Sequence, residues 1–181
     1  MVQGLDEWSF SDGSMKNRTT RGNRALWYHS NALGEAFIIL EIAKIANVKI
    51  PDNLEKKLLK AAELFNDAYL DHSVIEPWAK KRHNSQASNG RQEFNSNLDS
   101  VSFYSSWMQI FQLRYPEHRT AQWLNHELTS RSLSLKSNVI TGVPIGCISK
   151  ALADSSPEGP AKKETKRIPA DLELPIFDDV K

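Results

Sequence analysis

The chain has 181 residues, with 23 Lys and Arg against 22 Asp and Glu, a formal net charge of +1. That balance excludes bulk nucleic-acid binding, which needs a strongly basic face. With 40% hydrophobic and 25% charged residues, the composition is that of an ordinary globular protein, long enough for one domain with a real core.

Residues 1–20 read as polar and turn-rich. The opening MVQGLDEWSF lacks the basic and apolar regions of a signal peptide. Asp12-Gly13 is a turn, since Gly accepts positive φ and Asp bonds its own backbone, and Gly22 marks a second tight approach. From Arg24 the pattern becomes helical. Leu26, Leu33, Phe37, Leu40 and Ala43 lie close to one stripe, while Ala36, Ile38, Ile39, Ile42 and Ile45 fill most other faces. A helix apolar nearly all round is expected to be central and buried on most sides. Val48-Lys49-Ile50-Pro51 ends it. Asp52 and Glu55 then stand at capping-box spacing before a second helix. In that helix Leu58, Ala62, Phe65 and Tyr69 form the dry stripe, and Lys56, Lys57, Lys60 and Glu63 the wet face. An inner and an outer helix joined by a short connection make a helical hairpin.

Residues 71–97 form a long polar segment made basic by Lys80, Lys81, Arg82, His83 and Arg91. Segments of this length in compact domains are usually functional or disordered. A third helix is predicted over 98–113, with Val101, Tyr104, Met108 and Phe111 on one face, stopped by Tyr115-Pro116. A fourth is predicted over 117–128. Residues 132–152 are apolar and punctuated by Gly and Pro. Residues 1–153 are assigned to the domain and 154–181 to a polar tail rich in Pro, Lys and Glu. No stretch alternates as a half-buried strand does, so the fold class is all-α.

The chemically densest stretch runs from Asp12 to His29. Arg21, Arg24, Trp27, Tyr28 and His29 fall within nine positions, at the mouth of the apolar helix. Arg21 and Tyr28 are seven residues apart, nearly the same face of a continuous helix, so their tips can converge on one group. The competing reading is a surface arginine and a core tyrosine with a satisfied hydroxyl. The five tryptophans suit either sugar stacking or core filling. Trp78, beside the basic segment with Arg82, is the one best placed for a sugar. His126-Glu127 starts a zinc-protease helix motif, but Ser130 stands where the second histidine is needed. The histidines have no other ligand spacing, and no metal is predicted. Gly142–Gly146 lacks the Lys-Ser/Thr ending of a phosphate loop. The single Cys147 forms no intrachain disulfide and has no activating base nearby. No uncharged apolar run reaches the ~18 residues of a membrane span.

The run D-G-S, six residues, R-G-N-R-A-L-W-Y-H, followed by NALGEAFIILEIAKIA, resembles the alginate lyases of polysaccharide lyase family 5. The clear match covers residues 5–50. SFYSSWMQIFQLRYPEH carries a fainter one toward residue 150. The resemblance implies an α/α-toroid of inner and outer helices, and β-elimination on a uronate polymer without a cofactor. It implies that Arg21 neutralises the substrate carboxylate and that Tyr28 is base and acid, with Arg24, Trp27 and His29 lining the same cleft. The chemistry explains the residue types. Removing the C5 proton loads charge onto the carboxyl group, and a guanidinium fork meets a carboxylate bidentately. A cation beside a phenol favours the phenolate that takes the proton. The family acts in the periplasm or outside the cell, which is the localisation expected.

The sequence departs from the family pattern in two ways. The family's Asn-His pair lies on an earlier inner helix, whereas the Asn-His of this chain is Asn125-His126, after the motif. The chain therefore resembles the C-terminal half of the family's domain, and unpartnered helix faces predict self-association or a missing N-terminal segment. In addition, Lys16 and Arg18 make the segment between DGS and RG basic, and Trp27 stands where close relatives often carry another histidine. These changes leave the particular uronate open. Two other readings compete with the lyase: a non-catalytic module binding acidic glycan, and a helical interaction domain.

Overall fold

The computed structural model of the protein describes residues 1–81, 90–94 and 107–130. Among these residues the architecture is all-α. The helices are α1 (Val2–Trp8), α2 (Ala25–Ile45), α3 (Leu54–Leu70), α4 (Glu76–Ala79), α5 (Trp107–Arg114) and α6 (Arg119–Ser130). Single 3-10 turns at Gly22–Arg24 and His72–Ile75 precede α2 and α4. The only extended pairing among the described residues is an isolated antiparallel bridge between Ser9 and Met15. No described helix is long and apolar enough to cross a membrane.

The predicted central helix is α2, which packs against α1, α3 and α5. Leu26, Leu33, Phe37 and Leu40 are fully buried along it. Phe37 stacks on Trp107 at 5.7 Å and meets Phe111 edge-on at 5.4 Å. Phe65 of α3 reaches the same Trp107 edge-on at 5.5 Å. Such offset and edge-to-face aromatic pairs contribute beyond their buried area, and here they tie three helices to one point. Lys44 pairs with Glu55, while His29 meets Ala61. The two long helices thus run in opposite senses, as a hairpin requires.

Several local expectations are corrected. Residues 1–20 are not turns throughout, because α1 buries Val2 and Leu5. Helix α2 is buried on most sides as expected, and Ile42 and Ile45 near its C-terminal end are 47% and 58% exposed. The capping box does not form. Helix α3 starts at Leu54 after Asn53, with no side-chain cap. Glu55 instead accepts from Lys44 Nζ at 3.0 Å and from the Tyr115 hydroxyl. Two tertiary donors outcompete one local amide.

The polar segment after residue 70 begins with structure of its own. Asp71 caps the 3-10 turn by accepting from Ser73 N at 2.9 Å, and Ile75 and Ala79 are buried. Residues 90–94 return to the domain, with Phe94 edge-on to Phe65 at 5.6 Å. The third predicted helix is described only as Trp107–Arg114, and the fourth spans Arg119–Ser130. Arg82, Cys147, the stretch 132–152 and the tail 154–181 lie outside the described residues.

Candidate functional site

The site is built on the loop between α1 and α2. Asp12 Oδ1 accepts from Ser14 N at 2.9 Å and Ser14 Oγ at 2.6 Å, closing an Asx turn. Gly13 sits at φ +85°, and a Cβ there would stand 2.6 Å from the Lys60 carbonyl oxygen. Only glycine permits this turn to lie flat on the backbone of α3. The indole Nε1 of Trp78 donates to Asp12 Oδ2 at 3.0 Å. Burial raises the Asp12 pKa, but the bonds from Ser14 and Trp78 outweigh it and hold the carboxyl below its ordinary range. The D-G-S motif is thus an anchor pinned between α3 and α4.

His29 secures the other side of the loop. Its Nε2 lies 2.8 Å from the Ala61 carbonyl and its Nδ1 3.0 Å from Thr19 Oγ1. The carbonyl can only accept, so Nε2 carries the proton and the Thr19 hydroxyl donates to Nδ1. Thr19 Oγ1 in turn accepts from Met15 N at 2.8 Å. Burial lowers the pKa of His29 to about 4 despite the Ala61 bond, which opposes it. The ring is 0% exposed. The expectation that His29 lines the cleft is therefore corrected: one turn into α2 the ring faces the core, where it joins the loop to α3.

Arg21 belongs to the loop, ahead of the turn Gly22–Arg24, and Tyr28 to the first turn of α2. Asn17, at φ 60°, aims its carbonyl at Arg21, whose Nε donates to it at 2.9 Å. The Arg21 guanidinium carbon then lies 4.7 Å from the centre of the Tyr28 ring, a cation–π contact. Tyr28 stacks on Trp27 at 6.1 Å with 25° between planes. The Arg24 guanidinium lies 5.7 Å from the Trp27 ring. Arg21, Tyr28, Trp27 and Arg24 thus form one row, with a guanidinium at each end of an aromatic pair.

The two ends differ. Arg18, Arg24, Arg114 and Arg119 each hold a carboxylate. Arg21 holds none among the described residues. Arg24 Nε donates to Glu93 Oε2 at 2.6 Å, and Asn23 Nδ2 donates to Glu93 Oε1. The bond to Glu93 holds Arg24 all the more firmly in its charged form. The chain at 90–94 is fixed there by Gln92, which accepts from Leu26 N at 3.0 Å and donates to the Gly22 carbonyl at 3.1 Å. The linear sequence carried no signal for Gln92 or Glu93, some 70 positions from their partners, beyond their place in the long polar segment.

The structure therefore brings Arg21, Tyr28, Trp27 and Arg24 together and removes His29. Trp78 stands on α4, which packs on the turn Gly22–Arg24, with its indole N–H committed to Asp12. A separate cavity of about 290 Å³ lies between α1 and α2, lined by Leu5, Trp8, Met15, Arg18, Ala36 and Ile39. It contains none of the row. No group of three or more metal-ligating side chains is gathered among the described residues. Compared with protein families, curated proteins and solved structures, the chain finds no match.

Proposed function

We propose that this chain carries the arginine–tyrosine half of a polysaccharide lyase, acting on a uronate-containing glycan by β-elimination without a cofactor. The observation that supports it most is the Arg21–Tyr28 contact: a guanidinium 4.7 Å from a phenol ring, with no carboxylate of its own among the described residues. In this reading the free edge of Arg21 takes the substrate carboxylate. The Tyr28 phenolate, with Arg21 as counter-charge, removes the C5 proton. That electron pair becomes the C4–C5 double bond, the C4–O4 bond breaks, and the Tyr28 hydroxyl returns its proton to the leaving O4. Tyr28 ends as it began. A single well-placed donor to developing charge is typically worth about 3 kcal/mol in the transition state.

The α2–α3 hairpin then stands as one inner–outer pair of an α/α-toroid, with the acidic polymer as partner and the periplasm or cell exterior as compartment. A non-catalytic module for acidic glycan is the second reading. It is favoured by Arg24 and Trp27, which offer a cation and an aromatic face with no proton-transfer role. The deciding experiment follows absorbance of the unsaturated product from polymannuronate, with wild type against Tyr28→Phe. Product from wild type and none from the variant supports the lyase. Binding without product supports the module, and equal rates in both proteins remove Tyr28 from the mechanism.

A further inference from the structure

The Glu93 carboxylate is held as a substrate carboxylate would be. It receives a guanidinium N–H from Arg24 at 2.6 Å and the amide of Asn23, and the same guanidinium lies 5.7 Å from the centre of the Trp27 ring. Both members of the ion pair are half exposed, with side chains 52% and 44% accessible. Exposed pairs of this kind are weak and exchange readily. The backbone under Glu93 is independently fixed, since Glu93 N donates to the Asn23 carbonyl at 2.6 Å and the neighbouring Gln92 is buried, with its side chain bonded to Leu26 and Gly22 and its backbone N–H to His72 Nδ1. Releasing the carboxylate therefore requires only rotation of one side chain. What it would uncover adjoins Tyr28 through the Trp27–Tyr28 stack.

We infer that Arg24, Asn23 and Trp27 form a second sugar-acid subsite, which Glu93 fills as an internal anion until a neighbouring uronate of the polymer displaces it. The inference rests on the uronate reading of the Arg21–Tyr28 pair and extends it from one sugar to two. Displacement makes Glu93 a specificity element. A neutral sugar at this position gives no carboxylate to replace it, so the subsite selects runs of acidic residues. The cost of expelling Glu93 is subtracted from oligomer affinity and not from that of a single uronate.

The test is calorimetric binding of mannuronate oligomers and of monomeric uronate to the full chain, as wild type, Glu93→Gln, Arg24→Ala and the double variant. Glu93→Gln is expected to bind oligomer about tenfold more tightly, with monomer affinity little changed, and the gain is expected to vanish when Arg24 is also replaced. Glu7→Gln, at an exposed position of α1, removes the same charge elsewhere and is expected to give no gain. Glu93→Ala, checked for folding by circular dichroism, repeats the measurement with a shorter side chain. Oligomer affinity unchanged or reduced in both Glu93 variants, no oligomer binding by any variant, or a gain that survives Arg24→Ala, overturns the subsite. Tighter oligomer binding with no unsaturated product leaves the subsite standing and removes the lyase chemistry alone.

Discussion

The carbonyl oxygen of Lys60 occupies the space where a side chain on Gly13 would begin, 2.6 Å from an ideal Cβ. The loop carrying Arg21 therefore rests directly on the backbone of α3. Gly13→Ala meets both this clash and the strain of φ +85°, and the atoms it meets, the Lys60 carbonyl and the Ala61 nitrogen, are backbone. A loss of about 3 kcal/mol is expected in denaturant unfolding. A variant as stable as wild type would show that the turn is not pressed onto α3.

His29 makes stability depend on pH in a definite direction. Its pKa is about 4 in the folded chain against an ordinary 6.5, because burial disfavours the charged ring. Between those values the unfolded chain binds a proton that the folded chain refuses. Stability is therefore expected to fall as pH drops from about 6.5 to about 4, by about 3 kcal/mol in total, and this contribution levels off below that. Burial shifts His72 in the same direction, so His72→Gln is the control. In His29→Gln the slope between pH 7 and pH 5 is expected to flatten. An unchanged slope would assign the dependence elsewhere.

Glu41 is 1% exposed and meets Arg114 through two nitrogens, Nε at 2.9 Å and Nη2 at 2.6 Å. Removing one partner strands a buried charge. Arg114→Ala is expected to cost about 4 kcal/mol in chemical denaturation, and Glu41→Leu with Arg114→Met to recover most of that. If the single and double variants unfold alike, the pair is not the tie between α2 and α5 that its geometry implies.

The proposed lyase chemistry makes distinct kinetic demands on Arg21 and Tyr28. Arg21→Ala is expected to lower kcat on polymannuronate about 100-fold by removing charge stabilisation. Arg21→Lys keeps the charge but loses the planar fork, and is expected to fall between wild type and alanine. Tyr28→Phe preserves the stack and removes the hydroxyl that the proposed chemistry uses to carry the proton, with an expected loss of at least about 100-fold. Initial rates of product absorbance measure all three. A Tyr28→Phe variant that keeps its rate while Arg21→Ala loses it would leave Arg21 as a binding group only.

Ile42, Ile45 and Val48 are 47%, 58% and 49% exposed at the end of α2, an apolar edge without cover among the described residues. Exposed apolar patches bind hydrophobic dyes. Ile42→Lys with Ile45→Lys is expected to reduce dye fluorescence while leaving the melting temperature within a few degrees. A large fall in melting temperature would mean that these isoleucines are covered in solution.

Much of the fold was legible along the chain because it depends on local periodicity. The apolar run from Ala25 to Ile45 and the stripe Leu58, Ala62, Phe65 and Tyr69 each specify a helix whatever surrounds them, and Val48–Pro51 separates them. The grouping of Trp27 and Tyr28 was legible as neighbours in one helix turn, but Arg21 lies in the loop ahead of that helix, and its approach to the Tyr28 ring depends on the bend at Asn17 and Gly22. The direction of a side chain was not. His29 follows Tyr28 immediately, yet one step around a helix turns it about 100° into the core, where the Ala61 carbonyl and the Thr19 hydroxyl satisfy its two ring nitrogens. Glu55 had the spacing of a cap, but Lys44 and Tyr115 claimed it. Glu93 reached Arg24 because Gln92 found buried partners at Gly22 and Leu26. Such choices belong to tertiary structure, because polar groups pair with whatever donors packing brings near, and sequence spacing does not determine which those are.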